Sequence, residues 1–404
     1  MSMPRSTAPD IPVDEILKRL GRLGDELTGR GSLKTERWRE AVLGTARHVF
    51  VPGYWVENGD SGWRWVDSSN LADRGAWLDA VYSNTTLVTD LRVQPARGGA
   101  PAHHVVTSSS TLPGLVVQML EDLGAEPGQH VLEIGTGSGY STALMCHALG
   151  EEYVTSVDID AALVEAARGR LAEHGYRPHL AAADGELGLP GRAPYDHLIA
   201  TCSVTAIPPV WIEQVHPGGT ILTNLRGRLM QGAQVRLTMR ADGSASGQFL
   251  PGYGSFMALR HDPTAPFDYR VVVDKDPGPV RTRSTTLDAA ALLDDRAWGF
   301  VAQMHLPDLV VYPIDDAFGP GIEGVTADRS WFRAGVDPAR APGQRRVDQA
   351  GPRDIWDVLE AAHHEWELAD RPRWERYGLT AAQGRTHFWL DEPSNVIVTR
   401  SSAQ

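Results

Sequence analysis

The stretch His130-Val131-Leu132-Glu133-Ile134-Gly135-Thr136-Gly137-Ser138-Gly139-Tyr140 constrains this chain more than any other. A short apolar run without helical period opens into three alternating glycines and then into a helical pattern. Glycine reaches positive φ without a Cβ penalty, and the first amides of a helix point donors at whatever lies above the turn. The expectation is a buried strand, a ligand-facing turn and a helix. Tyr140 stands where a dinucleotide site needs Gly or Ala, and its ring would crowd a pyrophosphate, so NAD is disfavoured. Nineteen residues after Gly139, at the end of the next strand pattern, Asp158 precedes Ile159 and is placed to accept from two ribose hydroxyls. A third strand pattern ends at Ala183-Asp184-Gly185, where Asp184 can accept from an adenine amino group. S-adenosyl-L-methionine, a nucleoside without phosphate, meets these requirements. One glycine loop alone would read equally well as ordinary loop residues; three strand-end features in order do not.

Strand patterns at 153–157, 179–182, 197–201 and 220–225 alternate with helix patterns at 141–149, 161–174 and 209–215. Such alternation argues a mostly parallel sheet covered on both faces. Residues 235–240, the turn 241–243 and 248–259 read as an antiparallel hairpin closing it. Upstream, Ile16, Leu17, Leu20 and Leu23 recur at helical spacing, a second amphipathic stretch starts near Leu33, and 54–77 shows no period and reads as a Trp-containing loop or insertion. Downstream, 274–279 reads as a linker, 287–293 as a helix, 309–312 as a strand, and 386–390 with 395–399 as a strand pair. Ile355, Leu359, Ala362 and Trp366 mark a long helix. With 404 residues, about two to three units are expected.

Composition narrows the function classes. A net charge of −13 disfavours a partner held through phosphates, so no nucleic acid is expected. Two cysteines, Cys146 and Cys202, exclude a disulfide scaffold and a Cys-rich zinc site, and no metal site is expected. His363 and His364 are adjacent and diverge on a helix, so they cannot share a metal. No run approaches the roughly 18 apolar residues of a membrane span, and the first ten hold no apolar core of a leader. The expectation is a cytoplasmic protein.

Motifs in order give the chain a family resemblance. Arg47-His48-Val49-Phe50-Val51-Pro52 resembles the "PRHxFVP" segment of the protein-L-isoaspartate (D-aspartate) O-methyltransferases, and Ala80-Val81-Tyr82-Ser83 through Leu87 their "AYxDxxL" segment. The glycine loop, Ala183-Asp184-Gly185, Ala193-Pro194-Tyr195-Asp196 and Pro217-Gly218-Gly219 continue the match over about 11–260. The resemblance implies a doubly wound, Rossmann-like α/β S-adenosylmethionine-dependent methyltransferase fold, preceded by helices. An α+β domain is appended after it. The boundaries expected are 1–110, 111–262 and 263–404. The cofactor set expected is Glu133, Gly135, Thr136, Gly137, Ser138, Gly139, Tyr140, Asp158, Ile159, Asp184, Gly185 and Thr201, with S-adenosyl-L-homocysteine as product.

The family's "TISQPxxVAxM" segment is the informative departure. Here it reads Ser109-Ser110-Thr111-Leu112-Pro113-Gly114-Leu115-Val116-Val117-Gln118-Met119, which puts Thr111 at the family's hydroxyl position and Leu112 in place of a polar Gln. The resemblance implies that Thr111, with Ser110 and Ser109, sits beside the carboxylate that receives the methyl group. The other reading is a hydroxyl cap on the helix after Pro113, and both are compatible. Ser108 and His104 are candidate substrate contacts, although a surface role fits His104 equally. Cys202 has no base placed beside it and reads as a pocket-wall residue.

The chain extends well past the closing hairpin. In length it resembles longer actinobacterial relatives that methylate an aspartate of ribosomally made peptides, which implies a peptide or protein substrate chosen by the appended segments. Trp63 and Trp65 are candidate substrate contacts in a lid over 55–65, whereas the helical spacing of Trp356 and Trp366 makes them core. Three functions stay open: carboxyl methylation of a peptide precursor that then closes to aspartimide, general repair of isoaspartyl proteins, and a non-catalytic peptide-binding module.

Overall fold

The computed structural model describes residues 11–59, 62–70, 72–95, 102–252, 254–262, 275–276, 278–316, 319–337, 339–341 and 343–401. Helix α1 (Val13–Gly29) buries Leu20, Leu23 and Leu27, and α2 (Glu36–Gly44) and α3 (Arg47–Phe50) follow. The stretch read as an aperiodic loop forms a hairpin, β1 (Gly53–Glu57) and β2 (Trp63–Asp67), and a helix, α4 (Arg74–Val81). Its alternation is disguised because both faces carry large side chains. Tyr54 and Val66 pair on the buried face, and Trp55 and Trp65 pair on the other with ring centroids 5.2 Å apart. With β3 (Leu87–Gln94) and β4 (His103–Ser110) they make a four-stranded antiparallel sheet ordered β2-β1-β3-β4.

Helix α5 (Pro113–Leu123) takes Pro113 in its first turn and stops at left-handed Gly124. The alternating region follows: β5 (Val131–Ile134), α6 (Tyr140–Leu149), β6 (Val154–Asp158), α7 (Ala161–Glu173), β7 (His179–Ala182), β8 (Tyr195–Val204), α8 (Pro209–Glu213) and β9 (Val215–Leu225). These five strands are parallel in the order β7-β6-β5-β8-β9. Chain order reverses between β5 and β8, the crevice where open α/β sheets bind ligands. Strands β10 (Ala233–Met239) and β11 (Ala245–Phe249) add antiparallel. The second hairpin strand was expected to reach 259 but ends at Phe249. Residues 254–259 instead lie alongside the end of β8, with Ala258 in a parallel bridge to Ser203: Ser203 N–H donates to the Met257 carbonyl and Leu259 N–H to the Ser203 carbonyl, both at 2.8 Å.

The remainder comprises β12 (Arg281–Thr285), α9 (Ala291–Asp294), α10 (Arg296–His305), β13 (Val310–Asp316), β14 (Gly319–Val325), β15 (Trp331–Val336), β16 (Arg345–Ala350), α11 (Ile355–Leu368), β17 (Tyr377–Ala382), β18 (Arg385–Leu390) and β19 (Val396–Ser401). The helix expected over 287–293 is only the single turn α9. The principal helix is α10, whose start is set by Asp295 accepting from Ala297 and Trp298 N–H. Strands β12 to β16 form an antiparallel sheet ordered β12-β16-β15-β14-β13.

The last three strands do not stay with the appended segment. Strand β17 pairs antiparallel with β11, so β17, β18 and β19 extend the parallel sheet to ten strands, β19-β18-β17-β11-β10-β9-β8-β5-β6-β7. The expected boundary at 262/263 is thus crossed by the sheet. One core joins Leu132, Leu198 and Ile221 to Trp298, Trp356 and Phe388. Left alone, β11 would present an open edge of unpaired N–H and C=O groups, which β17 closes. Among the described residues no helix is long and apolar enough to cross a membrane.

Candidate active site

The glycine loop at the end of β5 has the predicted geometry. Gly135, Gly137 and Gly139 hold φ of 101°, 49° and 88°, where a side chain is strained. A Cβ on Gly135 would sit 2.7 Å from the Thr201 hydroxyl, which itself donates to the Gly135 carbonyl at 2.8 Å. Gly135 and Thr136 N–H both donate to the Val157 carbonyl, tying the loop to β6. Asp158, at the end of β6, accepts from Gly137 N–H at 2.9 Å and Asp160 N–H at 3.1 Å. Burial raises its carboxyl above the usual range against those two bonds. Further donors, such as a pair of ribose hydroxyls, would favour its charged form.

The loop and the hydroxyl-bearing end of β4 face one another. The Cβ position of Gly137 lies 3.9 Å from both the Ser108 hydroxyl and the Ser109 carbonyl. Between them opens a cavity of about 380 Å³, walled by Ser108, Ser109, Ser110, Thr111, Gly135, Thr136, Gly137, Ser138, Tyr140, Asp158, Ile159, Gly185 and Thr201. A cavity of this size, with backbone too close for side chains and one carboxylate at its edge, fits a nucleoside-sized group.

Other expected residues lie off that wall. Glu133 is fully buried beneath the loop, accepting from Ser141, from Thr142 at 2.5 Å and from Ser156 at 2.7 Å. Burial raises its carboxyl, and its work is to anchor the start of α6 rather than to meet a ligand. Gly139 packs against Ala167 of α7. Asp184 caps the turn 185–187 by accepting from Glu186 N–H, and its other oxygen faces His261 at 3.2 Å, beside the wall and not on it. Trp63 and Trp65 sit on β2, at the far edge of the four-stranded sheet, and Trp65 donates to Asp67 at 2.7 Å. His104 is exposed at the distal end of β4, opposite Val93. Those three do not line the cavity: β2 is the edge strand farthest from β4, and His104 lies at the end of β4 away from Ser108, Ser109 and Ser110.

The hydroxyl segment is held from behind. Arg47, fully buried, donates to the carbonyls of Val81, Ser83, Thr85, Ser110 and Thr111 and to the Ser110 hydroxyl, at 2.9 to 3.2 Å. Its guanidinium also lies over the Tyr140 ring. Burial lowers its pKa to about 10, so it stays charged near neutrality. Leu112 N–H donates to the Thr86 hydroxyl and Gly114 N–H to Asn84. The start of α5 is therefore capped from another loop, not by Thr111. Among the described residues, none accepts from or donates to the Thr111 hydroxyl, which lies half-buried on the cavity wall. Cys202 is also on the wall, and burial pushes its thiol up to about 12, which leaves it protonated and inert.

Sequence reasoning missed Thr86, Arg226, Met230, Ser255 and Arg260, which also line the cavity. Arg226 had a usable signal, since it directly follows a predicted strand at the carboxyl edge of the sheet, where ligands bind. Met230 and Ser255 belong to loops whose path no local pattern sets.

Comparison with known proteins places this geometry. The family model for protein-L-isoaspartate(D-aspartate) O-methyltransferase matches residues 70–249. A protein-L-isoaspartate O-methyltransferase of Anaeromyxobacter dehalogenans is 35% identical over 162 residues, 39% of this chain and 76% of that protein. One of Hyperthermus butylicus is 29% identical over 220 residues, 52% of this chain and 76% of that protein. A solved structure titled protein-L-isoaspartate O-methyltransferase aligns over 92% of this chain and all of its own, with TM-score 0.52 and 18% identity. That alignment extends the shared fold beyond the glycine-loop region.

Proposed function

The chain belongs to the protein-L-isoaspartate (D-aspartate) O-methyltransferase family, and from that premise we propose that it esterifies an Asp or isoAsp carboxylate of a selected peptide, which then closes to aspartimide. It is a methyl-transferring enzyme that depends on S-adenosylmethionine. When bound, that cofactor supplies an electrophilic methyl on a sulfonium and leaves as S-adenosylhomocysteine. Asp158 and the amides of the glycine loop would hold the nucleoside, and Gly185 and Ile159 would flank it.

The observation that carries the reading is the single cavity shared by the glycine loop and the hydroxyl end of β4. A carboxylate needs no general base at neutral pH, since it is already ionised. The protein has only to hold its oxygen in line with the methyl carbon, and alignment alone is worth several kcal/mol. Thr111, with Ser109 beside it, is positioned to donate to that carboxylate, and Arg47 keeps the segment in place. The new C–O bond forms as the C–S bond breaks. In the ester, the following backbone nitrogen attacks the side-chain carbonyl and expels methanol, giving the imide without further help from the enzyme.

The selected-peptide part rests on the appended segment. Helix α10 and the turn after it reach the loop that follows β9: Gln303 accepts from Gly227 N–H at 3.0 Å, and the Pro307 carbonyl accepts from Arg228 N–H at 2.9 Å. The loop carrying Met230 is thereby shaped by residues beyond 262. Choice of a ribosomally made precursor in the cytoplasm is the use we assign to this arrangement. Incubation with an unmodified isoaspartyl peptide and with a precursor peptide tests it. Faster esterification of the precursor supports selection, and rapid turnover of any isoaspartyl peptide would establish general repair instead. Thr111→Ala should lower kcat about tenfold with S-adenosylhomocysteine affinity unchanged, by calorimetry beside a methyl-transfer assay; wild-type turnover would remove Thr111 from the mechanism.

A further inference from the structure

In an acidic protein, a positive charge on the cavity wall would favour an anionic acceptor. The chain carries −13, and the cavity wall holds the Asp158 carboxylate. Among the described wall residues the arginines are Arg226 and Arg260. Arg260 sits between the two sides: it donates to the Thr107 carbonyl of β4 at 3.4 Å, and its charge acts on Asp158. Arg226 is built differently. It directly follows β9, is only 6% exposed, and donates through Nη1 to the Ser255 hydroxyl at 3.0 Å. Its backbone N–H is fixed to the Val204 carbonyl at 2.9 Å, and its Cβ and Cγ pack on Gly232, where an added Cβ would come within 3.0 to 3.2 Å of them.

Guanidinium is the side chain best matched to a carboxylate, because its planar fork presents parallel N–H donors to both oxygens. A buried fork on the wall that Thr111 shares is suited to that contact. We propose that Arg226, oriented by Ser255, is the anion-holding residue for the acceptor carboxylate. This deepens the carboxyl-acceptor reading above and rests on it. Thr111 supplies a hydroxyl, Arg226 supplies the charge, and the acceptor is chosen as an acid against its amide.

The test uses the full-length protein saturated with S-adenosylhomocysteine, so that binding is read without turnover. Calorimetry compares an isoaspartyl peptide and an aspartyl peptide, each beside its carboxamide counterpart. Wild type should prefer acid over amide by about tenfold or more in at least one pair, the scale of a charge-assisted contact. Arg226→Gln should reduce that preference to within about threefold while S-adenosylhomocysteine affinity stays within about twofold. Arg226→Lys, which keeps the charge but loses the fork and preserves more of the packing, should fall between them. Full preference retained in Arg226→Gln overturns the proposal; if that variant does not fold, full preference in Arg226→Lys does so. A wild-type protein that binds acid and amide equally in both pairs overturns the carboxyl-acceptor reading, and this proposal with it.

Discussion

The two halves of the ten-stranded sheet are built by different rules. In the parallel half, β5 to β9 follow one another through short crossovers, and each strand end delivers a residue to the cavity. In the antiparallel half, β11 pairs with β17, so Ala245 meets Ala381 across more than a hundred intervening residues. Between those partners lies a separate five-stranded sheet. The glycine-loop backbone and the Asp158 carboxylate, which we propose hold the cofactor, belong to the first half. The segment inserted between the two partners of the second half braces the loop after β9 through Gln303 and Pro307. On the proposed reading, the cofactor groups come from local segments, while the loop after β9 that carries Arg226 is braced by residues far along the chain.

The largest effect expected comes from separating the halves. A chain ending at 262 leaves β11 unpaired and removes Trp298, Trp356 and Phe388 from a shared core. It should lose most of its stability, more than about 5 kcal/mol, and show no cooperative melt. A truncated protein melting sharply near the full-length temperature would mean that the halves fold apart.

Acid should also act on the N-terminal helices beside the four-stranded sheet. His48 is buried beside Tyr82, whose hydroxyl lies 2.6 Å from Nδ1, with the Trp77 ring edge-on to it and His174 near enough to act on its charge. Burial lowers its pKa from 6.5 to about 4. The neutral ring is thus the folded form, so its stability is complete above pH 6.5 and is lost as pH falls from 6.5 toward 4. The loss is about 3 kcal/mol over that window. Chemical denaturation of His48→Asn should show a shallower decline there than wild type; an identical decline would place the acid sensitivity elsewhere.

Two smaller effects separate the ligand roles. Asp158→Ala should weaken S-adenosylhomocysteine binding by about 2 kcal/mol, read by calorimetry. Unaltered affinity would undo the ribose assignment. Gln303→Ala removes the acceptor for Gly227 N–H and should raise the peptide KM several-fold, about 1 kcal/mol, with cofactor affinity unchanged. A change in cofactor affinity instead would break the division between the halves.

The same division explains what could be read from the sequence. Val131 to Tyr140 and Asp158 were legible because a strand, a positive-φ turn and a helix succeed each other within one local window. The hairpin at 53–67 was hidden because Trp55 and Trp65 make the outer face as apolar as the inner one. Glu133 was misplaced because strand alternation alone cannot tell a side chain under the loop from one beside the ligand; hydroxyls at Ser141, Thr142 and Ser156 decided it. Trp63, Trp65 and His104 were assigned from residue type, which carries no information on which sheet edge meets the cavity. The pairing of β17 with β11 left no local trace at all: 377–382 was not among the expected strands, and the strand expected over 248–259 is in fact Ala245–Phe249.

The claim that all this serves is carboxyl methylation in the shared cavity, and mass spectrometry of an aspartyl or isoaspartyl peptide incubated with the enzyme and S-adenosylmethionine tests it most directly. The account predicts the gain of one methyl group followed by the loss of methanol, with both steps absent from a peptide whose acceptor carboxylate is an amide. Cofactor binding without any methyl gain on a carboxylate peptide, or equal gain on the amide peptide, would contradict it.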